Sequence, residues 1–321
     1  MHAVVVNKTG GPEVLEYTEV PDPQPGETDL LVAVDAAGIN FIDTYFRSGM
    51  YPRPLPYTVG DEGSGVVEAV GAQVTQFAVG DRVAWSAAPG SYAEKVVVAA
   101  DKALHVPDHV SAPQAASVLL QGMTAHYLAN STYPIQSGDV VLVHAGAGGT
   151  GLLLTQLAKA KGATVITTVS TDEKEELSRG AGADHVLRYE ADVAAEVRDL
   201  TGGEGVHATY DGVGKSTFEA SVASTRVRGT VALFGAASGP VPPFDLQRLN
   251  GLGSLFVTRP TLAHHVRNRE ELEWRGGEVL NLLSDGTLSV RVGAEYPLAE
   301  AARAHTDLEA RATTGSIVLV P

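Results

Sequence analysis

Gly146, Gly148 and Gly151 fill a G-x-G-x-x-G pattern directly after the apolar run Val140-Val141-Leu142-Val143. The chemistry this spacing serves is the capture of a dinucleotide pyrophosphate. The first glycine allows a tight turn, the second lets the backbone approach the phosphates, and the third lets a following helix pack close to the strand. Gly149 and Thr150 complete the turn, and residues 152–162 are helix-compatible and end at Gly162. The start of that helix offers unpaired N–H groups and a partial positive charge to an anion. A ligand-free glycine turn is written in the same letters, so the strand–turn–helix setting carries the expectation.

The elements that must position this turn fall into two textures. Residues 1–122 are β-rich. Strands are expected at 3–6, at 29–38 running into Ile39-Asn40-Phe41, across the glycine-interrupted 59–71, at 79–84 and at 91–98. Many short strands with glycine turns point to a small barrel-like domain. After Pro113 a helix is expected over 114–130. From Val140 strands (140–143, 164–169, 185–187, 206–211, 229–235, 253–258) alternate with helices (172–180, 192–201, 216–224). That alternation is the sequence form of an α/β, doubly wound parallel sheet. A helix at 270–284 and a strand at 315–320 follow. The expected division is 1–122 with 261–321 as one domain and 123–260 as the other, with the ligand cleft between them and beyond the carboxyl ends of the parallel strands.

Composition bounds the function. The 321 residues are 44% hydrophobic and 19% charged, an ordinary globular balance. There is no cysteine, which removes disulfides, thiolate metal sites and a cysteine nucleophile. The ten histidines show no H-E-x-x-H spacing, and the adjacent His264-His265 point apart. A net charge of −15 disfavours nucleic acid, whose backbone needs a basic surface. No run reaches membrane-span length and the first residues lack signal-peptide features, so a soluble, cytoplasmic protein is expected.

The order of motifs resembles the medium-chain dehydrogenase/reductase superfamily, and within it the zinc-free, zeta-crystallin-like quinone oxidoreductases. The matching stretches include Gly10-Gly11-Pro12-Glu13-Val14-Leu15, Ala37-Gly38-Ile39-Asn40-Phe41-Ile42-Asp43-Thr44-Tyr45 and Arg47-Ser48-Gly49-Met50-Tyr51-Pro52. Gly60-Asp61-Glu62-Gly63-Ser64-Gly65, the glycine turn, Tyr210-Asp211-Gly212-Val213-Gly214, Phe234-Gly235-Ala236-Ala237-Ser238-Gly239 and Val257-Thr258-Arg259-Pro260 follow. The resemblance implies a GroES-like catalytic domain, a Rossmann domain and reduction of quinone-like substrates with NADPH. Zinc relatives place a cysteine near Ile39-Asn40 and a histidine after Gly60. Asn40 and Asp61 stand there instead, and no metal is expected.

An NAD site usually has Asp or Glu at the end of the second strand. Ser170 stands there, and Ser170, Lys174 and Tyr189 match positions that hold the 2′-phosphate in the resembled family. Lys174 has a plainer role available as an exposed helix lysine. Asp172, Glu173 and Glu190 weaken the local positive field and argue against strict NADPH preference; Arg311 is a further candidate cation. The resemblance also assigns Asn40, Phe41, Asp43 and Tyr45 to the cofactor. Gly212, Phe234, Gly235, Ala236, Ser238, Val257, Thr258 and Arg259 follow late strands, whose carboxyl ends face the cofactor.

Without a Lewis acid or a nucleophile constellation, direct hydride transfer to a conjugated acceptor remains, with donors meeting the negative charge that develops on oxygen. Asn40, Tyr45 and Tyr51 are the candidate donors, and Thr124 a candidate beside the nicotinamide. Asn40 has the alternative of fixing a turn, and the tyrosines of packing as aromatics. Quinone and other conjugated-carbonyl substrates both fit, so an enone, alkenal or enoyl reductase is the alternative enzyme. A non-catalytic NADPH-binding protein, crystallin-like or RNA-binding, is the alternative of another class. Residues 253–258 read as an exposed edge strand, from which a homodimer is expected.

Overall fold

The structure, a computed structural model, describes all of residues 1–321 and divides into two compact units, Met1–Gln121 with Val266–Pro321, and Gly122–His265. The sequence division was 1–122 with 261–321, and 123–260.

The first unit begins with β1 (His2–Val6), β2 (Leu15–Glu19) and β3 (Asp29–Ile39), then α1 (Phe41–Ser48). β4 (Tyr57–Thr58), β5 (Glu62–Val70), β6 (Arg82–Trp85), β7 (Lys95–Ala99) and β8 (Leu104–His105) follow. β1 pairs antiparallel with both β2 and β4. β3 is the spine of the larger sheet. It pairs with β5 along one edge and with β7 along the other, and its burial alternates until both faces close near Ile39. Register shifts between β3 and β5 are bulges that bend the sheet. The core packs Leu30, Val32, Ile39, Val83, Trp85, Tyr92, Val96 and Val98 together.

α2 (Ala112–Tyr127) carries the chain into the second unit and ends in a wider turn over Leu128–Thr132. There β9 (Val140–Val143), α3 (Gly149–Ala160), β10 (Thr164–Val169), α4 (Asp172–Gly180) and β11 (His185–Arg188) alternate. α5 (Val193–Leu200), β12 (Val206–Asp211), α6 (Phe218–Ser224), β13 (Thr225–Leu233), α7 (Arg248–Gly251) and β14 (Phe256–Thr258) complete it. All six strands are parallel, in the order β11-β10-β9-β12-β13-β14. This is the doubly wound order, and the strand direction of growth reverses between β9 and β12. The interior strands are apolar because helices cover both faces.

The chain returns to the first unit with α8 (Arg269–Ser284), β15 (Val292–Pro297), α9 (Ala301–Glu309) and β16 (Ser316–Val320). β16 lies between β15 and β3, pairing Ile317 with Ile39 and Leu319 with Ala37.

Several elements differ from the sequence expectation. Residues 41–48 form a helix, because Asn40 and Asp43 make a reciprocal capping box at its start. The strand expected at 91–98 begins only at Lys95. Upstream, Tyr92 accepts from Val4 N–H and donates to Val59, and Ser91 turns inward to accept from the Trp85 indole. β13 begins at Thr225, ahead of the expected 229. α9, β2 and β15 carried too little apolar periodicity to be expected.

Candidate functional site

The turn after β9 is held mainly by backbone. His144 N–H donates to Tyr210 C=O at 3.0 Å, Gly146 N–H to Thr168 C=O at 3.0 Å, and Gly148 N–H to Ala145 C=O at 2.9 Å. These bonds tie the turn to β12 on one side and β10 on the other, at the switch point. Ala145 takes a left-handed φ of 55°, and its N–H donates to the Tyr189 hydroxyl at 2.9 Å. A Cβ on Gly151 would collide with the Ala145 carbonyl, so only glycine lets α3 start this close to β9. Gly148 is the N-cap and brings no side chain, so Gly149, Thr150 and Gly151 present their N–H groups at the open end of α3. An open helix start of this kind suits an anionic group. His144 lies buried beneath it, with Nδ1 at 2.9 Å from Thr168 Oγ1 and burial pushing its pKa down, so the ring is neutral.

The second strand's end is built beside this cradle. Parallel pairing sets Val169 opposite Arg188, so the next residues, Ser170 and Tyr189, leave neighbouring strand ends together. Thr171 caps α4 by accepting from Lys174 N–H at 3.3 Å, which puts Lys174 in the first turn. Two of the acids near Lys174, Asp172 and Glu175, are answered. Arg188 Nη2 donates to Asp172 at 2.5 Å and to Glu175 at 2.7 Å, and Arg179 pairs with Glu175 at 2.8 Å. The Arg179 and Arg188 bonds hold the Glu175 carboxyl below its ordinary range.

At β12 the fully buried Asp211 shapes the next turn. Its Oδ1 accepts from Val213 N–H (2.8 Å), Gly214 N–H (2.9 Å) and the Thr217 hydroxyl (2.8 Å), and its Oδ2 from the Ser221 hydroxyl (2.7 Å). The turn after β13 docks on it. Phe234 N–H donates to Asp211 C=O at 2.8 Å, Ala237 N–H to Gly212 C=O at 3.2 Å, and Ser238 N–H to Val213 C=O at 2.8 Å. Gly212, Phe234, Gly235, Ala236 and Ser238 are thus one assembly. Val257, Thr258 and Arg259 end the neighbouring β14, with Thr258 paired to Ala232. The carboxyl edge of one sheet therefore brings together the glycine turn, Ser170, Lys174, Tyr189 and these residues. Thr124 lies buried in α2 of the same unit. Arg311 belongs to the first unit, in a left-handed position just after α9.

In the first unit, Asn40 sits where β3 passes into α1, and its amide is held from two sides. Nδ2 donates to Glu62 Oε2 at 2.6 Å, and Oδ1 accepts from Gln121 Nε2 at 3.0 Å. Ser316 Oγ donates to Gln121 Oε1 at 2.7 Å, and Leu120 N–H to Glu62 Oε1 at 2.7 Å. Gly38 keeps this approach open, since a Cβ there would collide with the Ala116 carbonyl and crowd the Glu62 carboxylate. Glu62 has no solvent exposure, and burial raises its pKa to about 8. The Asp43 carboxylate turns inward. It is buried and accepts from Asn40 N–H at 2.8 Å and the Tyr92 hydroxyl at 2.9 Å, with its pKa raised to about 7 by burial and then by the Asp61 charge. Behind it, His305 Nε2 lies 3.2 Å from the Tyr92 hydroxyl, and its Nδ1 accepts from Arg47 at 2.9 Å. Burial and Arg47 lower the His305 pKa to about 3. Tyr45 and Tyr51 meet edge to face at 5.3 Å, and Phe41 opens α1 half-buried. Asp61 pairs with Arg53 at 2.9 Å.

Two family models match, the alcohol dehydrogenase GroES-like domain over residues 26–108 and the zinc-binding dehydrogenase over 149–277. A quinone oxidoreductase of Pseudomonas aeruginosa is 47% identical over 315 residues, 97% of each chain. The chain belongs to the quinone oxidoreductase family. Among solved structures, a mycobacterial protein complexed with NADPH is 57% identical, with both chains fully covered and a TM-score of 0.98. An Escherichia coli quinone oxidoreductase complexed with NADPH is 42% identical over the whole of both chains, with a TM-score of 0.98.

Within this quinone oxidoreductase, several residues that build the site gave no signal in advance. Glu62 and Asp211 stand inside the stretches that carry the resemblance, and the available cue was an acid directly before a glycine, at the start of β5 and at the end of β12. Arg188, Tyr92 and His305 had none, because their partners come from distant parts of the chain. No three His, Asp or Glu side chains gather in a metal-holding arrangement, and no helix is long and apolar enough to cross a membrane.

Proposed function

We propose that this protein is an NADPH-dependent quinone oxidoreductase that works without zinc. The observation that carries the reading is the common edge formed by the glycine turn with Ser170, Lys174 and Tyr189, in a chain similar from end to end to quinone oxidoreductases. Gly146–Gly151 and the open end of α3 take the pyrophosphate. Ser170, Lys174 and Tyr189 take the 2′-phosphate, and a serine in place of an acid at the end of β10 avoids repelling it. Phe234–Ser238 and Val257–Arg259 border the ribose and carboxamide, with Thr124 on the nicotinamide side. When bound, the reduced nicotinamide supplies a hydride.

The chain's own part is to orient and to stabilise charge. Asn40 Nδ2 carries two hydrogens, and Glu62 takes one. The second, with the hydroxyls of Tyr45 and Tyr51, meets the oxygen that becomes negative as the acceptor is reduced. Water delivers the proton. Zinc independence follows from the absence of cysteine and from Asn40 and Asp61 at the positions zinc relatives use as ligands. The exposed edge of β14, with Phe256 at 64% exposure, favours a homodimer formed by pairing that edge with its copy. A cytoplasmic location accords with this reading.

The test follows NADPH and NADH absorbance with 1,4-benzoquinone, 9,10-phenanthrenequinone and 2-alkenals, before and after dialysis against a chelator. Quinone-dependent NADPH oxidation that survives dialysis is expected. Saturable NADPH binding with no oxidation by any acceptor would sink the enzyme reading, and turnover of alkenals alone would move it to an enone reductase. Sedimentation showing only monomer at micromolar concentration would defeat the dimer.

A further inference from the structure

The first five residues of α4 are Asp172-Glu173-Lys174-Glu175-Glu176, four acids around one lysine. Acids at a helix N-terminus stabilise the helix. Here they also stand beside the place proposed for a 2′-phosphate, a group with close to two negative charges near neutral pH. Taken alone, this stretch would repel the ligand it is meant to hold.

Arg188 removes that conflict. It is the last residue of β11, paired in register with Val169, so it stands next to Ser170 and directly before Tyr189. Its Nη2 alone makes both bonds, to Asp172 Oδ1 at 2.5 Å and to Glu175 Oε2 at 2.7 Å. One guanidinium thus ties the two acids on either side of Lys174 and draws their charge toward the strand. Arg188 and Glu175 are each 27% exposed, whereas Asp172 is fully exposed, so solvent screens the Asp172 pair more than the Glu175 pair. Glu175 is also held by Arg179, so Asp172 depends on Arg188 alone.

We propose that Arg188 is a specificity-determining residue for the cofactor. By pairing Asp172 and Glu175 it offsets two of the four acids around Lys174 and permits a 2′-phosphate where the helix sequence would otherwise favour a cofactor without one. The proposal rests on the reading that Ser170, Lys174 and Tyr189 hold the 2′-phosphate. Charge cancellation, rather than a direct bond from Arg188 to phosphate, is the mechanism, because the pairing already exists within the protein.

The test compares steady-state kinetics of the full-length enzyme with NADPH and NADH, using one quinone at 20 mM and 500 mM salt. R188Q raises the KM for NADPH about tenfold at low salt, a change of about 1.4 kcal/mol. It leaves the NADH KM within about twofold, and its NADPH deficit shrinks at high salt, where exposed charges are screened. The triple variant R188Q/D172N/E175Q, which removes the acids together with the cation, recovers the NADPH preference to within about threefold. A preference unchanged in R188Q overturns the proposal. So does a triple variant as impaired as R188Q, which would mean a direct phosphate contact. K174A is run alongside: if it too leaves the preference unchanged, the 2′-phosphate placement falls and the Arg188 proposal with it, whereas a silent R188Q beside an impaired K174A defeats the proposal alone.

Discussion

The glycine turn of the second unit and the surroundings of Asn40 in the first solve opposite problems. At 145–151 the turn is closed by backbone bonds, and the N–H groups at the head of α3 are left for a ligand. Around Asn40, side chains do the holding. The carboxylates of Glu62 and Asp43 are buried, and each accepts two hydrogen bonds from the protein. The first region recognises by shape and partial charge and tolerates almost no added atom. The second orients one amide through a network whose members would be costly to leave unpaired. A substitution in the turn should therefore strike binding, and one in the network should strike stability and pH response.

The sharpest test of that contrast is Gly151→Val. Its branched side chain would meet the Ala145 carbonyl. Forced overpacking of this kind costs about 3 kcal/mol, so NADPH affinity by fluorescence titration should fall roughly a hundredfold. Affinity within threefold of the parent would show that the close approach is dispensable. Glu62→Ala is next. It leaves the Asn40 amide and the Leu120 N–H without their acceptor and should lower the unfolding free energy in urea by about 3 kcal/mol, with Glu62→Gln milder at about 1 kcal/mol. Equal losses in both would mean that the cost comes from losing the carboxyl group itself, since Gln keeps the volume that Ala gives up.

The pH response separates the regions further. Glu62 and Asp43 bind protons more tightly folded than unfolded, with values near 8 and 7 against ordinary values of 4.5 and 3.8. Their contribution is complete below about pH 4 and is lost as pH rises through 7 and 8. His305 runs the other way: lowered from 6.5 to about 3, it contributes fully above 6.5 and loses that contribution as acid is added. The His305 trend opposes the other two below pH 6.5, and Asp43 is spent by about 7, so the decline from Glu62 should stand alone between about 7 and 8. The urea midpoint should drop across that window in the parent and stay flatter in Glu62→Gln. Parallel curves would remove Glu62 as the titrating group. The smallest effect is expected from Tyr92→Phe, which breaks the link between Asp43 and His305 and should cost about 1 kcal/mol in the same measurement.

The same contrast explains what the letters could convey. The doubly wound sheet was legible because buried parallel strands are continuous apolar runs and the glycine spacing marks the turn between β9 and α3. Ser170 could be located by counting from Gly146. The Asn40 network was not legible. Its members come from β3, α1, β5, α2, α9 and β16, and no local periodicity links residue 40 to residues 62, 121 and 316. α1 was missed for a related reason. Its helix start is set by the Asn40–Asp43 box, and an N-x-x-D following a strand reads equally well as the strand's continuation. Arg188 lies just past the strand expected at 185–187 and was not singled out, although Asp172, one of the two acids it answers, had been noticed. Charge balance at a site depends on which residues the register makes neighbours.

The pairing of β16 with β3 has a consequence for synthesis. On the ribosome, β3 emerges early, and its edge at Ala37–Ile39 waits for Ile317–Leu319 until the whole of Gly122–His265 has been translated. The nucleotide-binding half can collapse as its own segment leaves the exit tunnel, whereas the catalytic half must stay unfinished through most of elongation, with Ser316 still missing from the chain that orients Asn40. A nascent protein halted after His265 would therefore hold the complete parallel sheet and lack the partner of β3, exposing an unsatisfied strand edge of the kind that chaperones capture.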